Sequence, residues 1–291
     1  MAKFQYYLVE VRIAISPADA DALLAKAQAL PDIIAEMPAE GIVRIRGVDE
    51  QKLKSALTSL KAAHFTFTES SMSPVYREKI TQICQAVHVH KLQKGGAGEF
   101  AAITLRCEPL ASEDIQFENV TSDLGAEFVR GVREGASEFV TNGPVAGFPL
   151  IGIKIVLLDG KYHEIDSSYE TFRIAANAAL EKAIHYGQPI LLEPLMKVVV
   201  SVPETVLGSV IGDINARRGT IESMETLRSD TALNSITAIV PLRNLFAYGE
   251  TLSALTEGEG TFESCFDRYE PVLDDFDPDP KFPQAAAMRV A

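Results

Sequence analysis

Residues 7–15 alternate between apolar and polar, with Tyr7, Val9, Val11, Ile13 and Ile15 on one side. That period of two is the mark of a half-buried strand. At Ser16-Pro17 the period changes: a small polar cap and a proline at the first helical position open a helix. Ala20, Leu23, Leu24, Ala27 and Leu30 form its apolar stripe, and Pro31 stops it. An extended piece over 33–37, a turn from Pro38 to Gly41, and a strand carrying Ile42, Val43 and Ile45 follow. Asp49 caps a second helix bearing Leu53, Ala56, Leu57 and Leu60, and residues 65–68 close as a strand. The order βαββαβ predicts a ferredoxin-like sandwich over residues 1–73.

The pattern turns mostly extended from Val75 to Leu110, with strands expected over 80–91 and 100–107 around the run Gly95-Gly96-Ala97-Gly98. A helix over 125–140 shows Ala126, Val129, Val132, Ala136 and Phe139/Val140 on one face, and Asn142-Gly143-Pro144 ends it. An apolar run from Ile151 to Leu158 enters Asp159-Gly160, read as a sharp turn, and Ser167 with Glu170 has the spacing of a capping box. The helix after it has the cleanest periodicity in the chain: Phe172, Ala175, Ala176, Ala179, Leu180, Ala183 and Ile184, ended by Gly187 and Pro189. Residues 74–193 thus make a second domain. Residues 194–272 repeat the first in outline: a strand over 195–202, a helix with Val206, Leu207, Val210, Ile211 and Ile214 capped by Gly219, strands over 220–227 and 235–240, a helix over 243–255 and a strand over 261–269. Gly208 and Gly212 are read as allowing close helix–sheet packing, and residues 273–291 as an irregular tail. The fold class is α+β, with two ferredoxin-like βαββαβ sandwiches flanking a middle domain.

Charge narrows the partners. The chain carries a formal net charge of -13, which opposes non-specific binding to nucleic acid or to anionic membranes and leaves room only for a local basic patch. No apolar run is long enough to span a bilayer. Met1-Ala2-Lys3 leads into an alternating strand, so no secretory leader is expected. Cys84, Cys107 and Cys265 are odd in number and form no Cys-x-x-Cys pair, which reads as buried free thiols in a reducing compartment. A cytoplasmic location, no membrane, no DNA and a monomeric state are expected.

Candidate chemistry gathers in two loops. Glycines at 95, 96 and 98 let backbone amides approach phosphate, and His88, His90, Lys91 and Lys94 lead into them with no acid between, the most basic short patch in the chain. The other loop holds Tyr162, His163, Asp166 and Ser167 between two regular elements. His163 suits a phosphate, a ribose hydroxyl or a base, or a hydrogen bond within its own turn to Asp166. His163, Asp166 and Ser167 also admit hydrolase chemistry, but no oxyanion-hole motif or nucleophile elbow accompanies them. Cys84, His88 and His90 admit zinc, but a fourth ligand has no evident position. Arg217 and Arg218, in the last turn of their helix, suit either RNA or the helix dipole.

Five ordered motifs carry a family likeness: Gly143 to Pro149 (GPVAGFP), Asp159 to Ser168 (DGKYHEIDSS), Leu192 to Met196 (LEPLM), Val210 to Gly219 (VIGDINARRG) and Val240 to Leu242 (VPL). From about Gln82 to Tyr269 the sequence closely resembles the C-terminal arm of translation elongation factor G. Residues before 80 resemble the preceding domain in element order and in Val75-Tyr76-Arg77-Glu78. The resemblance implies domains III, IV and V of that family, with a middle domain of ribosomal protein S5 domain 2-like architecture. It implies a ribosome-binding protein acting in tRNA–mRNA translocation, with ribosomal RNA and the decoding-site tRNA–mRNA pair as partners. Lys94, Gly95, Gly96, Gly98, His163, Asp166 and Ser167 would form the arm's tip, with Arg217 and Arg218 as further RNA-binding residues.

The departures matter as much. No Walker lysine is present, so no catalytic site is expected here, and GTP and magnesium would act only through a G domain. The family's Gly-Met-Gly-Glu-Leu-His-Leu motif becomes residues 47–53, GVDEQKL. The tip has Ala97 and Glu99 where the family has a polar or basic residue and a glutamine, and residues 256–260 read TEGEG for the family's Thr-Gln-Gly-Arg-Gly. Acid where RNA contact is implied costs binding. The alternative is a truncated paralogue serving as a protein–protein interaction module.

Overall fold

Strand β1 (Val9–Ile15) buries Val9, Val11, Ile13 and Ile15, as the alternation over 7–15 requires. The computed structural model describes residues 7–94, 97–141, 143, 147–227 and 233–272. Helix α1 (Pro17–Gln28) follows, then β2 (Ile33–Ala39), β3 (Ile42–Gly47), α2 (Glu50–Ala62) and β4 (Phe67–Glu69). Asp49 caps α2 with its side chain, accepting from the Lys52 amide at 2.7 Å, whereas Ser16 makes no side-chain capping bond. The turn between β2 and β3 needs Gly41, whose φ is +70° and where a Cβ would stand 2.9 Å from the Ile15 carbonyl oxygen. The sheet order is β2-β3-β1-β4, and the short strand β5 (Ser73–Pro74) also pairs with β1.

The last part repeats this order. Strand β11 (Pro189–Pro203), helix α5 (Leu207–Ala216), β12 (Thr220–Leu227), β13 (Leu233–Pro241), α6 (Tyr248–Leu255) and β14 (Thr261–Pro271) form a sheet in the order β12-β13-β11-β14. Both sheets therefore run second, third, first, fourth strand, the ferredoxin-like arrangement. Residues 7–75 and 193–270 make up one compact unit. One apolar cluster runs through it, from Leu8 to Leu60 and from Met196 to Leu252.

The second unit comprises residues 76–192 with Pro271 and Val272. Strand β6 (Arg77–Ile80) pairs antiparallel with residues 189–192 of β11. Strands β7 (Cys84–Lys94) and β8 (Ala97–Pro109) form a long hairpin, continued by β10 (Ile153–Lys161) and β9 (Ile115–Asn119) in the order β7-β8-β10-β9. Helices α3 (Ala126–Thr141) and α4 (Tyr169–Tyr186) complete it. All seven apolar positions expected on α4 are fully buried, and Phe172 stacks on Phe128 at 4.7 Å.

Several expectations are corrected. Asp159-Gly160 is no turn: β10 runs through it to Lys161, with a register shift between Leu157 and Asp159. A bulge absorbs the extra residue, and Gly160 is held where a Cβ would meet Leu124 at 2.8 Å. The α4 cap is Ser168, which accepts from the Thr171 amide at 3.2 Å, so Ser167 and Glu170 are no capping box; Glu170 pairs with Arg173 instead. At the end of α5 the left-handed residue is Arg218 (φ +61°), not Gly219. Helix 243–255 is broken into a 3-10 turn (Leu242–Asn244) and α6, with Ala247 at φ +57° between them. Nothing lies within 4 Å of a Cβ built at Gly208 or Gly212, so neither serves close packing. That role falls to Gly131 and Gly135 on α3, where a Cβ would stand 2.5 Å and 2.4 Å from the carbonyl oxygens of Tyr169 and Arg173. Strand β9 has no counterpart in the sequence pattern. Its five residues lie at the sheet edge, and Ile115 is half exposed.

Candidate functional site

The loop between β10 and α4 is sewn to the start of β8 by backbone and side chain together. The Phe100 amide donates to the Asp166 carbonyl at 2.8 Å. The Ser167 hydroxyl donates to the Phe100 carbonyl at 2.6 Å and accepts from the His163 amide at 2.8 Å. A further bond, from the Ser167 amide to the His163 carbonyl at 3.1 Å, closes the turn. Gly98 lies directly under this loop: a Cβ there would be 2.6 Å from the Asp166 carboxylate. A side chain here would displace the Asp166 carboxylate from its place beside His163.

The His163 ring is held by its neighbours yet open to solvent. Its Nδ1 lies 3.2 Å from an Asp166 carboxylate oxygen, and the side chain is 56% exposed. Nδ1 is the nitrogen engaged within the loop, accepting from the Ile165 amide at 3.4 Å beside Asp166, which leaves Nε2 as the nitrogen available outward. Tyr162, also half exposed, packs its ring 5.4 Å from Phe128, which fixes the loop to the core. Ile165 is 86% exposed at the crown of the loop. Between loop and hairpin lies a cleft of about 510 Å³, lined by Lys91, Gln93, Glu99, Phe100, Lys161 and Tyr162 besides His163 and Asp166. The lining thus combines two lysines, two carboxylates, two aromatic rings and one imidazole, side chains of the kinds that contact phosphates and bases.

The structure brings Gly98, His163, Asp166 and Ser167 together. Gly95, Gly96 and the Lys94 side chain lie outside the described residues. The basic run before them does not form one patch, because strand geometry sends His88 and His90 to the face opposite Lys91. His88 Nδ1 is 3.0 Å from Lys182 Nζ, and burial together with that ammonium lowers its pKa below the ordinary value of 6.5. His90 Nε2 is 2.8 Å from Glu99. The glutamate that reads as an unfavourable charge at the tip thus has a hydrogen-bonding partner on β7. Lys161 and Gln93 were missed as site residues, since only the β10–β8 register, which sets Lys161 opposite Ala102, reveals that they share the cleft.

Arg217 belongs to the other unit and is occupied there. Its guanidinium donates to Asp213 at 2.8 Å and to the Asn244 carbonyl at 2.6 Å, and lies 4.8 Å from the Tyr248 ring centre. Burial pushes the Tyr248 hydroxyl up to about 12, with Asp213 adding to the shift. These contacts join α5 to α6 and give Arg217 a structural task. Arg218 is exposed.

Comparison with known proteins identifies the family. Residues 75–188 match the family model described as elongation factor G, domain IV. Residues 190–278 match the one described as elongation factor G C-terminus. A crystal structure of a protein from Thermus thermophilus superposes with a TM-score of 0.71 at 29% identity, over 95% of this chain. The chain spans 42% of that protein's length.

Proposed function

Since the chain belongs to the elongation factor G family, carrying its domain IV and C-terminal regions, we propose that it binds the ribosome and acts in tRNA–mRNA translocation through the cleft around His163. The expected partners are ribosomal RNA and the tRNA–mRNA pair at the decoding site, met by a monomer in the cytoplasm. The reading assigns this chain binding and no chemical step. One observation carries it: His163 is fixed from behind by Asp166 and Ser167 while its ring stays 56% exposed beside Lys91 and Lys161. A side chain held in place and presented outward loses little freedom on binding. Gly98 lines the same cleft; Lys94, Gly95 and Gly96 are assigned to the binding surface by their place in the sequence, and Arg218 is a separate contact. Arg217, turned inward, supports Arg218 by ordering its helix end.

The test is co-sedimentation with ribosomes at low salt. Replacing His163 and Lys94 together by alanine removes two hydrogen bonds to charged groups, each worth about 1.5–3 kcal/mol. Affinity for ribosomes is expected to fall at least about a hundredfold. Equal pelleting of the double variant and the parent chain refutes the reading.

A further inference from the structure

The hairpin that carries the cleft has a pair of thiols at its root. Cys84 begins β7, and its register partner on β8 is Cys107. Residues directly opposed in an antiparallel pair have Cα atoms about 4.5–5.5 Å apart and side chains on the same face. A disulfide spans Cα separations of about 4.4–6.8 Å, a range that includes the spacing of such a register pair. Both thiols are buried in the apolar cluster of this unit. Gly187, at the end of α4, gives the sulfur its room: a Cβ there would stand 3.0 Å from Cys84 Sγ. We propose that Cys84 and Cys107 are a modification site, a dithiol that a hydroperoxide closes to a cross-strand disulfide and a dithiol reductant reopens.

The geometry also assigns the order of steps. Cys84 lies at the strand end, 5% exposed and next to Ile83, which is 67% exposed; Cys107 is fully buried. The interaction between the two thiols lowers the pKa of Cys84, while it and burial raise that of Cys107. Cys84 is therefore the attacking thiolate and Cys107 the resolving thiol. The Cys84 sulfur attacks one peroxide oxygen, the O–O bond breaks, and water leaves after protonation, giving a sulfenic acid. The Cys107 sulfur then attacks the Cys84 sulfur, the S–O bond breaks, and a second water leaves. Two thiols lose two protons and two electrons in all, and hydrogen peroxide takes them up to become two waters. The bridge clamps the hairpin at the end opposite the cleft. This inference does not depend on the ribosome reading.

The test is peptide mapping of the whole chain after treatment with hydrogen peroxide, with free thiols alkylated under denaturing conditions. Expected is one joined product containing Cys84 and Cys107, lighter by two hydrogens and restored by dithiothreitol. Amide hydrogen exchange through β7 and β8 should slow in the oxidised form. Cys84→Ser should abolish the joined product and leave Cys107 alkylatable. The exposed Cys265 serves as the internal control. Oxidation of Cys265 while Cys84 and Cys107 both stay alkylatable would overturn the proposal. So would sulfinic acid at Cys84 with no joined peptide. The mapping of the unsubstituted chain decides the matter even if the serine variant fails to fold.

Discussion

Ser167 has one hydroxyl and uses it twice, as donor to the Phe100 carbonyl and as acceptor from the His163 amide. This side-chain bond to β8 helps set where the imidazole points. Ser167→Ala should cost about 1–3 kcal/mol, the worth of two net hydrogen bonds, read as a lower midpoint in urea unfolding. It should also weaken ribosome pelleting although the cations of the cleft stay in place. A loss of stability with unchanged pelleting would separate the loop's order from its function. The sequence assigns Ser167 to a helix cap because Glu170 stands at the right spacing. The adjacent Ser168 takes that task, and only the approach of Phe100, 67 residues away, discloses what Ser167 does.

At the scale of elements, helix α4 was legible because each of its seven apolar positions meets a wall, so periodicity and burial coincide. Helix α3 was legible in extent but not in its contact. Glycine reads as weak helix propensity, yet Gly131 and Gly135 let α3 approach the α4 backbone. Gly135→Ala separates the two readings. Propensity alone favours alanine by about 1 kcal/mol, but a Cβ 2.4 Å from the Arg173 carbonyl oxygen forces an overpacking cost of about 1–3 kcal/mol. Net destabilisation in urea is expected. Gly212→Ala, on α5 with nothing within 4 Å, should stabilise by up to about 1 kcal/mol in the same assay. The bulge in β10 was illegible for a related reason. Asp159-Gly160 is strong turn chemistry, and only pairing with β8 makes it continue as strand.

For the whole molecule, charge and placement of cations combine. On the proposed reading a chain of net charge -13 would meet RNA at the cleft, where Lys91, Lys161 and His163 stand with the carboxylates of Glu99 and Asp166, and Lys94 follows Lys91 by three residues in sequence. Release of counterions from three or four phosphates predicts a slope of roughly -2 to -3 for log affinity against log salt. A ribosome-binding titration over a salt series measures it. A much steeper slope would show that cations outside the cleft take part.

The pairing of β6 with β11 has a consequence for how such a chain is put together. Arg77 lies opposite Leu192, so residues 78–191 leave and return through neighbouring strands. The ferredoxin-like repeat is a host, and the intervening segment is a graft whose two cut ends already touch. A short turn joining those ends would close the host's chain without stretching it. Conversely, the graft could be exchanged for another of different length or tip chemistry while the host keeps its strand order.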